Sequence, residues 1–430
     1  MHVWIFNPYE PLPFEGAVRL RYASLAEALT TQGHSVVWWS ADWSHGLKRR
    51  RSLPFESQSL SGEVVSCAPL QEVTSKPHPP LNHLTTQLIN VPAYHKNISL
   101  RRIWSHWCYA RGIVRQAGGH AAKHGNPDVI IFSVPPMEAG RVALKLGKQF
   151  GAKVVLDVMD AWPEALLLAA VGSEARRYEG MKVWAAKLML TPYYQMMQRY
   201  CREADAICAQ SQTFAEYARS FGAAGDIPVF HLAAHTPSQL PPSHPSTPSA
   251  LRLVYLGSMG RIYDLRTLVE SVRQLRTEGL AVELDLIGEG ERRVGLEALV
   301  EAQGLSAGVR FHGFLEGEAL DRIMKRGDVG IIPMHPGSGV VIPYKGPHYL
   351  SFGLYVISSL PGELMELLEN NACGSFYRAG DVESLREEIR QLAMQPERVK
   401  QGRAGALRLF EKDFESDAVH ADMAEWLVRG

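Results

Sequence analysis

Short apolar runs alternate with amphipathic stretches along most of the chain. Residues 2–7, HVWIFN, read as a buried strand. A Pro/Gly loop follows, then VRLRYASLAEALTTQG, in which Leu20, Leu25, Ala28 and Leu29 recur at helical spacing. Gly33 is placed to end that helix, and HSVVWWS predicts the next strand. The same strand–helix–strand grammar returns in PDVIIFSVP, a helix around 137–150, AKVVLDVMD and the strand ADAICAQS. Strands alternating with helices predict a parallel sheet covered on both faces.

The pattern breaks at residues 236–250, TPSQLPPSHPSTPSA, where five of fifteen residues are proline and four are serine. That composition predicts a linker. Beyond it the alternation restarts: LRLVYLGSMG, a helix over 264–278, VELDLIGEG, a helix over 291–303, VRFHGFL, a helix over 317–326, VGIIPM, and IPYKGPHYLSFGLYVIS. The expected organisation is a first Rossmann-like doubly wound α/β domain over 1–235, the linker, and a second such domain over 251–414. A last helix is expected over 415–430. Two such domains facing across a cleft would hold ligand beyond the carboxyl ends of their strands.

Composition narrows the function classes. With 430 residues, 45 basic against 45 acidic side chains and a formal charge of +0, the chain has no overall electrostatic call for nucleic acid. Its five cysteines, Cys67, Cys108, Cys201, Cys208 and Cys373, form no C-x-x-C, which argues for a reduced compartment and against a cysteine-built metal site. No basic-then-apolar leader opens the sequence, and no stretch of about 18 residues is both uncharged and predominantly apolar, so neither a signal peptide nor a spanning helix is expected.

Several residues fall just after strands. Gly16, ahead of a helix with Arg19 and Arg21, reads either as a phosphate approach or as a loop glycine with solvated arginines. Asp160, at the end of LDVMD, reads as a base or sugar-hydroxyl acceptor, or as a helix N-cap; Asp157 reads as structural. The turn GSMGR, with Gly257, Gly260 and Arg261, could wrap a diphosphate. Gly288, Gly290 and Gly295 give G-x-G-x-x-x-x-G, which lacks the dinucleotide spacing and argues against NAD. Lys345 could neutralise a leaving phosphate or could be a snorkelling surface lysine. Gly362 and Glu363 follow the next strand. The run Lys48, Arg49, Arg50 and Arg51, near Trp38, Trp39 and Trp43, suggests an anionic membrane or acceptor patch, with a solvated charge run as the alternative.

Taken together, GAVRLRYASLAEALTTQGHSVVW, VVLDVMDAWPE, LVYLGSMGRIYDLRTLVESV, LIGEGE, IPYKGPHYLSFGLYVIS and GDVESLREEI resemble the retaining glycosyltransferases of the GT-B fold, family 4, in their bacterial surface-polysaccharide branch. The resemblance implies an acceptor-binding first domain and a nucleotide-sugar-binding second domain. It sets Gly16 against the donor phosphates, Arg261 and Lys345 on the diphosphate, Phe314 near the base, and Gly362 and Glu363 near the sugar, and it returns the last helix to the first domain; Gly257, Gly260, Gly288, His348 and Glu366 are also expected to bind the donor. It implies no cofactor and no metal, protein cations taking that electrostatic role. Three positions depart from the family pattern: Val340 and His348 stand where it carries glutamates, and Met159 where it carries a histidine. The expected function is sugar transfer from a nucleotide diphosphate donor to a saccharide or lipid-linked acceptor, with retention, in the cytoplasm or at the inner face of a membrane. A catalytically inactive sugar-nucleotide-binding or scaffolding subunit, and an epimerase of the same fold, are the alternatives.

Overall fold

The computed structural model describes residues 1–15, 20–51, 65–66, 83–96, 99–171, 180–237, 250–335 and 339–429. The chain divides into two compact units: residues 1–231 with 417–430, and residues 232–416. In chain order the first unit runs β1 (His2–Phe6), α1 (Arg21–Thr31), β2 (Ser35–Ala41), a small antiparallel pair β3 (Trp43–Ser44) and β4 (Arg49–Arg50), β5 (Val65–Ser66), β6 (Leu84–Ile89) and α2 (Leu100–His124). It continues with β7 (Val129–Val134), α3 (Met137–Phe150), β8 (Lys153–Val158), α4 (Glu164–Val171), α5 (Met181–Glu203), β9 (Ala206–Ala209) and α6 (Gln212–Ser220). The second unit holds β10 (Leu251–Leu256), α7 (Leu265–Thr277), β11 (Val282–Ile287), α8 (Arg293–Ala302), β12 (Val309–Gly313), α9 (Gly317–Met324) and β13 (Val329–Ile332). Then come α10 (Lys345–Ser351), β14 (Tyr355–Ser358), α11 (Glu363–Asn370), β15 (Gly374–Phe376), α12 (Val382–Met394) and α13 (Pro396–Asp413); α14 (Ser416–Val428) returns to the first unit.

Among the described residues the first sheet is ordered β5-β6-β2-β1-β7-β8-β9 and the second β12-β11-β10-β13-β14-β15. Only the edge strand β5 pairs antiparallel in them. Both are doubly wound α/β sheets. In each the strand order reverses beside the first strand, at β1/β7 and at β10/β13, which is where ligands collect in open parallel sheets.

The sheets are buried on both faces, so their strands are continuous apolar runs. In β10, Leu253 and Tyr255 face α7 and α12, while Val254 faces the layer containing Leu350 and Leu409. In β1, Val3 and Ile5 face Leu25 and Leu29 of α1 and Met423 and Leu427 of α14. Each fully buried Leu or Ile contributes about 1.5–3 kcal/mol. Helix α1 ends as its sequence predicts. The N–H groups of Gly33 and His34 donate to Thr30 and Leu29 at 3.1 and 3.0 Å, with Gly33 at φ 83°, a conformation that favours glycine.

Three expectations change here. Arg21 is not a solvated arginine: it is 1% exposed and grips Asp157 through two bonds of 2.8 and 2.9 Å, while Tyr22 Oη donates to the same carboxylate at 2.8 Å. The run at 48–51 is not simply a loop: Arg49 and Arg50 are exposed on a strand and Arg51 turns inward. Arg49 and Arg50 form β4, Arg50 pairs with Asp42 at 2.5 Å, and Arg51 is buried, paired with Glu15 and donating to the Glu10 carbonyl at 2.9 Å. Trp38 and Trp39 are core residues of β2 with no exposure, and Trp43 is buried too. Finally, β6, α2 and α5 lie where the sequence pattern predicted no element.

Candidate functional site

The carboxyl edge of the second sheet is built from backbone packed on backbone. Gly257, Gly288 and Gly313 end β10, β11 and β12, and all three hold positive φ. A Cβ on Gly288 would strike the Gly257 carbonyl, and one on Gly257 would strike Lys345 Nζ. Gly290 lies against Met259, whose N–H donates to Glu289 at 2.8 Å. Gly260 has no such constraint. Only glycine permits this approach, so the turns GSMG and GEG are fixed by packing as well as by any ligand.

Helix α10 hangs over this edge at the β10/β13 switch point. Tyr349 anchors it: its hydroxyl accepts from the Leu256 N–H at 2.9 Å and donates to the Ile331 carbonyl at 3.1 Å. Lys345 stands one turn earlier on the same face. It is 8% exposed, with Nζ 3.9 Å from the Tyr263 ring centroid and 4.8 Å from that of Tyr255. Among the described residues no carboxylate pairs with it. Burial alone lowers its pKa to about 7. Two aromatic faces partly stabilise the ammonium, and no described carboxylate balances it.

The remaining predicted residues divide. Phe314, just past β12, is 70% exposed. Arg261 lies on the surface in an exposed pair with Glu291 at 2.8 Å. Gly362, at φ 91°, precedes α11; Glu363 begins that helix and Glu366 lies exposed within it. His348 packs 5.5 Å from the Phe352 ring, its Nε2 without a hydrogen-bond partner among the described residues, and burial, then His235, lowers its pKa to about 4. It is therefore a neutral imidazole at pH 7. Val340 packs on the core, and Met159 offers its carbonyl to Gln210 at 2.5 Å. Gly16 lies outside the described residues.

The carboxyl edge of the first sheet is built from side chains instead. Asp160, after β8, accepts from the Ala161 N–H at 2.9 Å and the Trp162 indole at 3.2 Å, and burial raises its pKa. Arg102 of α2 lies over the rings of Tyr9 and Trp162 at 5.2 and 5.5 Å and donates to Tyr9 Oη at 3.2 Å. Tyr9 also bonds His106, whose Nδ1 is 3.7 Å from Glu138. Burial pushes His106 down to about 3 and His45 to about 4, with Arg102 adding to both. Sequence reading missed Tyr9, Arg102 and His106. They come from the loop after β1 and from α2, where Arg102 and His106 stand one turn apart, and share no linear motif; the one readable signal was the N-cap Ser99, which accepts from the Arg102 N–H at 3.2 Å. The larger hollow of about 540 Å³ lies elsewhere, near the amino ends of the second sheet. Its Glu270 and Arg273 already pair with each other at 2.6 Å.

Two doubly wound units, the second glycine-edged with a buried lysine over that edge, are matched by two family models. Residues 16–233 match the glycosyl transferase 4-like domain, and residues 250–395 match glycosyl transferases group 1. The chain belongs to the glycosyl transferase 4-like family. This glycosyl transferase 4-like chain is 25% identical over 182 residues to the amylovoran biosynthesis glycosyltransferase AmsK of Erwinia amylovora. That match covers 42% of the chain and 45% of AmsK, so less than half of that relative's length is spanned. Sucrose-phosphate synthase from Thermosynechococcus elongatus has TM-score 0.69 at 16% identity, over 99% of this chain and 98% of that one. Anabaena Alr3699/HepE, solved in complex with UDP-glucose, has TM-score 0.61 at 13% identity, over 99% of both chains. The likeness to these structures establishes the GT-B fold for this glycosyl transferase 4-like chain.

Proposed function

We propose that the chain moves a sugar from a nucleotide diphosphate donor to a saccharide or lipid-linked acceptor, with retention, in the assembly of a surface glycan. The observation that carries this reading is Lys345, buried at a sheet switch point with no carboxylate among the described residues. A lone desolvated ammonium is costly unless an anion joins it, and the diphosphate of a nucleotide sugar supplies one. When the glycosidic oxygen–phosphate group departs, negative charge develops on the diphosphate, and Lys345 stabilises it without reorganisation.

The other groups fit around that anion. Phe314 is exposed and free to stack on a base. His348, neutral, has an imidazole nitrogen able to accept from a ribose hydroxyl, where a carboxylate would do so in the family pattern. Gly362 and the first turn of α11 supply N–H groups toward the sugar. Arg261 would exchange Glu291 for phosphate at small cost, because an exposed pair contributes about 0–1 kcal/mol. The departing diphosphate takes the acceptor proton in a front-face displacement.

A thermal-shift panel of UDP-, GDP-, TDP- and ADP-sugars, without added magnesium, tests the donor. A ligand at about a hundred times its Kd stabilises by about 2.7 kcal/mol. Silence across the panel from a folded protein sinks the reading. Binding without transfer or donor hydrolysis identifies the inactive subunit, and product anomer by NMR decides retention.

A further inference from the structure

Fifteen large apolar side chains are exposed among the described residues, and eight of them lie on α2 and α5. Apolar exposure is therefore concentrated on two helices rather than scattered. Helix α2 has two unlike faces. Its inner face buries Ser105, His106, Tyr109 and Ile113. Its outer face leaves Leu100 84%, Trp104 54% and Trp107 44% exposed, the two indoles stacked 5.1 Å apart. Across 25 residues α2 carries five Lys or Arg and no Asp or Glu. Arg101, Arg111 and Arg115 are exposed beside the tryptophans, Arg111 lying 5.2 Å from the Trp107 ring. Helix α5 repeats the chemistry: Trp184, Leu188 and Met189 are 66%, 59% and 81% exposed, flanked by Lys182 and Lys187.

Topology brings the two together. The connections β6–α2–β7, β7–α3–β8 and β8–α4–α5–β9 all step along the sheet in one direction. Right-handed crossovers then place α2, α3 and α5 on one face, and α2 and α5 both pack against α3. Each runs opposite to the strands, so the tryptophan-bearing halves lie at the carboxyl edge, next to Tyr9, Arg102 and His106.

We propose that this edge docks on an anionic lipid bilayer. Trp104, Trp107, Trp184 and Leu188 enter the boundary between headgroups and acyl chains, and the arginines and lysines meet lipid phosphates. No described helix is long and apolar enough to cross, so the chain lies on the surface. A second copy is a poorer occupant, because a two-fold contact would set arginines against arginines. The proposal goes beyond sugar transfer and is read without any donor. If both hold, the acceptor is borne on lipid, and its head group arrives at the Arg102–His106 cluster.

Vesicle sedimentation with phosphatidylcholine, alone or mixed with phosphatidylglycerol, tests it. The wild-type chain should bind the mixed vesicles, less so in high salt. Arg101→Gln/Arg111→Gln/Arg115→Gln should weaken binding on the order of a hundredfold. Trp104→Ser/Trp107→Ser should lose the salt-resistant remainder. Lys48→Gln/Arg49→Gln should bind as wild type. All these positions are surface ones, and thermal melts check folding. The proposal is overturned if the wild type ignores anionic vesicles, if the tryptophan and arginine variants bind unchanged, or if the tryptophan variant alters gel-filtration size instead of sedimentation.

Discussion

Arg21 of the first unit and Lys345 of the second are both buried beside a sheet, and the two are treated in opposite ways. Arg21 of the first unit is enclosed by its own chain: Asp157 takes two bonds, the Phe230 carbonyl a third at 2.6 Å. Its charge is fully satisfied, so it serves the fold. Among the described residues Lys345 of the second unit meets two tyrosine faces and no carboxylate, and burial drags its pKa to about 7. Its charge is incomplete without a partner. A satisfied buried charge is architecture; an unsatisfied one at a sheet switch point is a place for a ligand.

The largest effect should come from undoing the satisfied pair. Asp157→Ala leaves Arg21 buried and uncompensated and should cost about 3–5 kcal/mol in chemical denaturation. Lys345→Met should leave stability unchanged or raised, because it removes a desolvated charge. If both variants destabilise alike, the contrast between the two cations is wrong. Lys345→Ala should also cut turnover by roughly ten- to a hundredfold, the loss of one charge-assisted contact of about 1.5–3 kcal/mol. Gly288→Ala forces a Cβ into the Gly257 carbonyl at positive φ and should lower stability by about 1–3 kcal/mol, with a weaker loss at Gly260→Ala.

The histidines give a pH contrast. His45, His106 and His120 in the first unit, and His348 in the second, have folded pKa values of about 4, 3, 4 and 4. Each is depressed by burial below the unfolded 6.5, so the unfolded chain binds more protons in that window. Stability should hold above pH 6.5 and fall as pH drops toward 4. Glu10, raised to about 7 mainly by burial, works the other way between 4.5 and 7. Unfolding midpoints against pH should thus show a loss that His106→Phe lessens. The smallest effect belongs to the exposed Arg261–Glu291 pair: Glu291→Gln should change stability by no more than about 1 kcal/mol.

The alternating strands were legible because both sheet faces are dry, which forces continuous apolar runs. Helix α2 was not, because Trp104 and Trp107 point outward while Tyr109 and Ile113 point inward, so no single apolar stripe exists. Lys345 was readable as a candidate from its turn, but its lack of a partner was not: Tyr255 and Tyr263 reach it from another strand and loop. Asp157 read as structural from its place inside a strand. Its partner Arg21 did not, since an arginine on a helix beside a glycine loop looks solvated until the sheet closes on it. The basic run at 48–51 misled for the same reason, with Arg51 turned inward onto Glu15.

On the proposed function, Lys345 receives the donor's diphosphate. An arriving anion must raise its pKa from about 7. At pH 8 the free lysine is mostly neutral, so binding a nucleotide sugar should take up close to one proton. Affinity should be flat below pH 7 and fall by up to about tenfold per pH unit above it. Titration calorimetry of the tightest-binding nucleotide sugar, at pH 8 in two buffers of different ionisation enthalpy, measures that uptake directly. The account predicts near one proton for the wild type and none for Lys345→Met. Tight binding with no uptake by the wild type, or equal uptake by both, would contradict it.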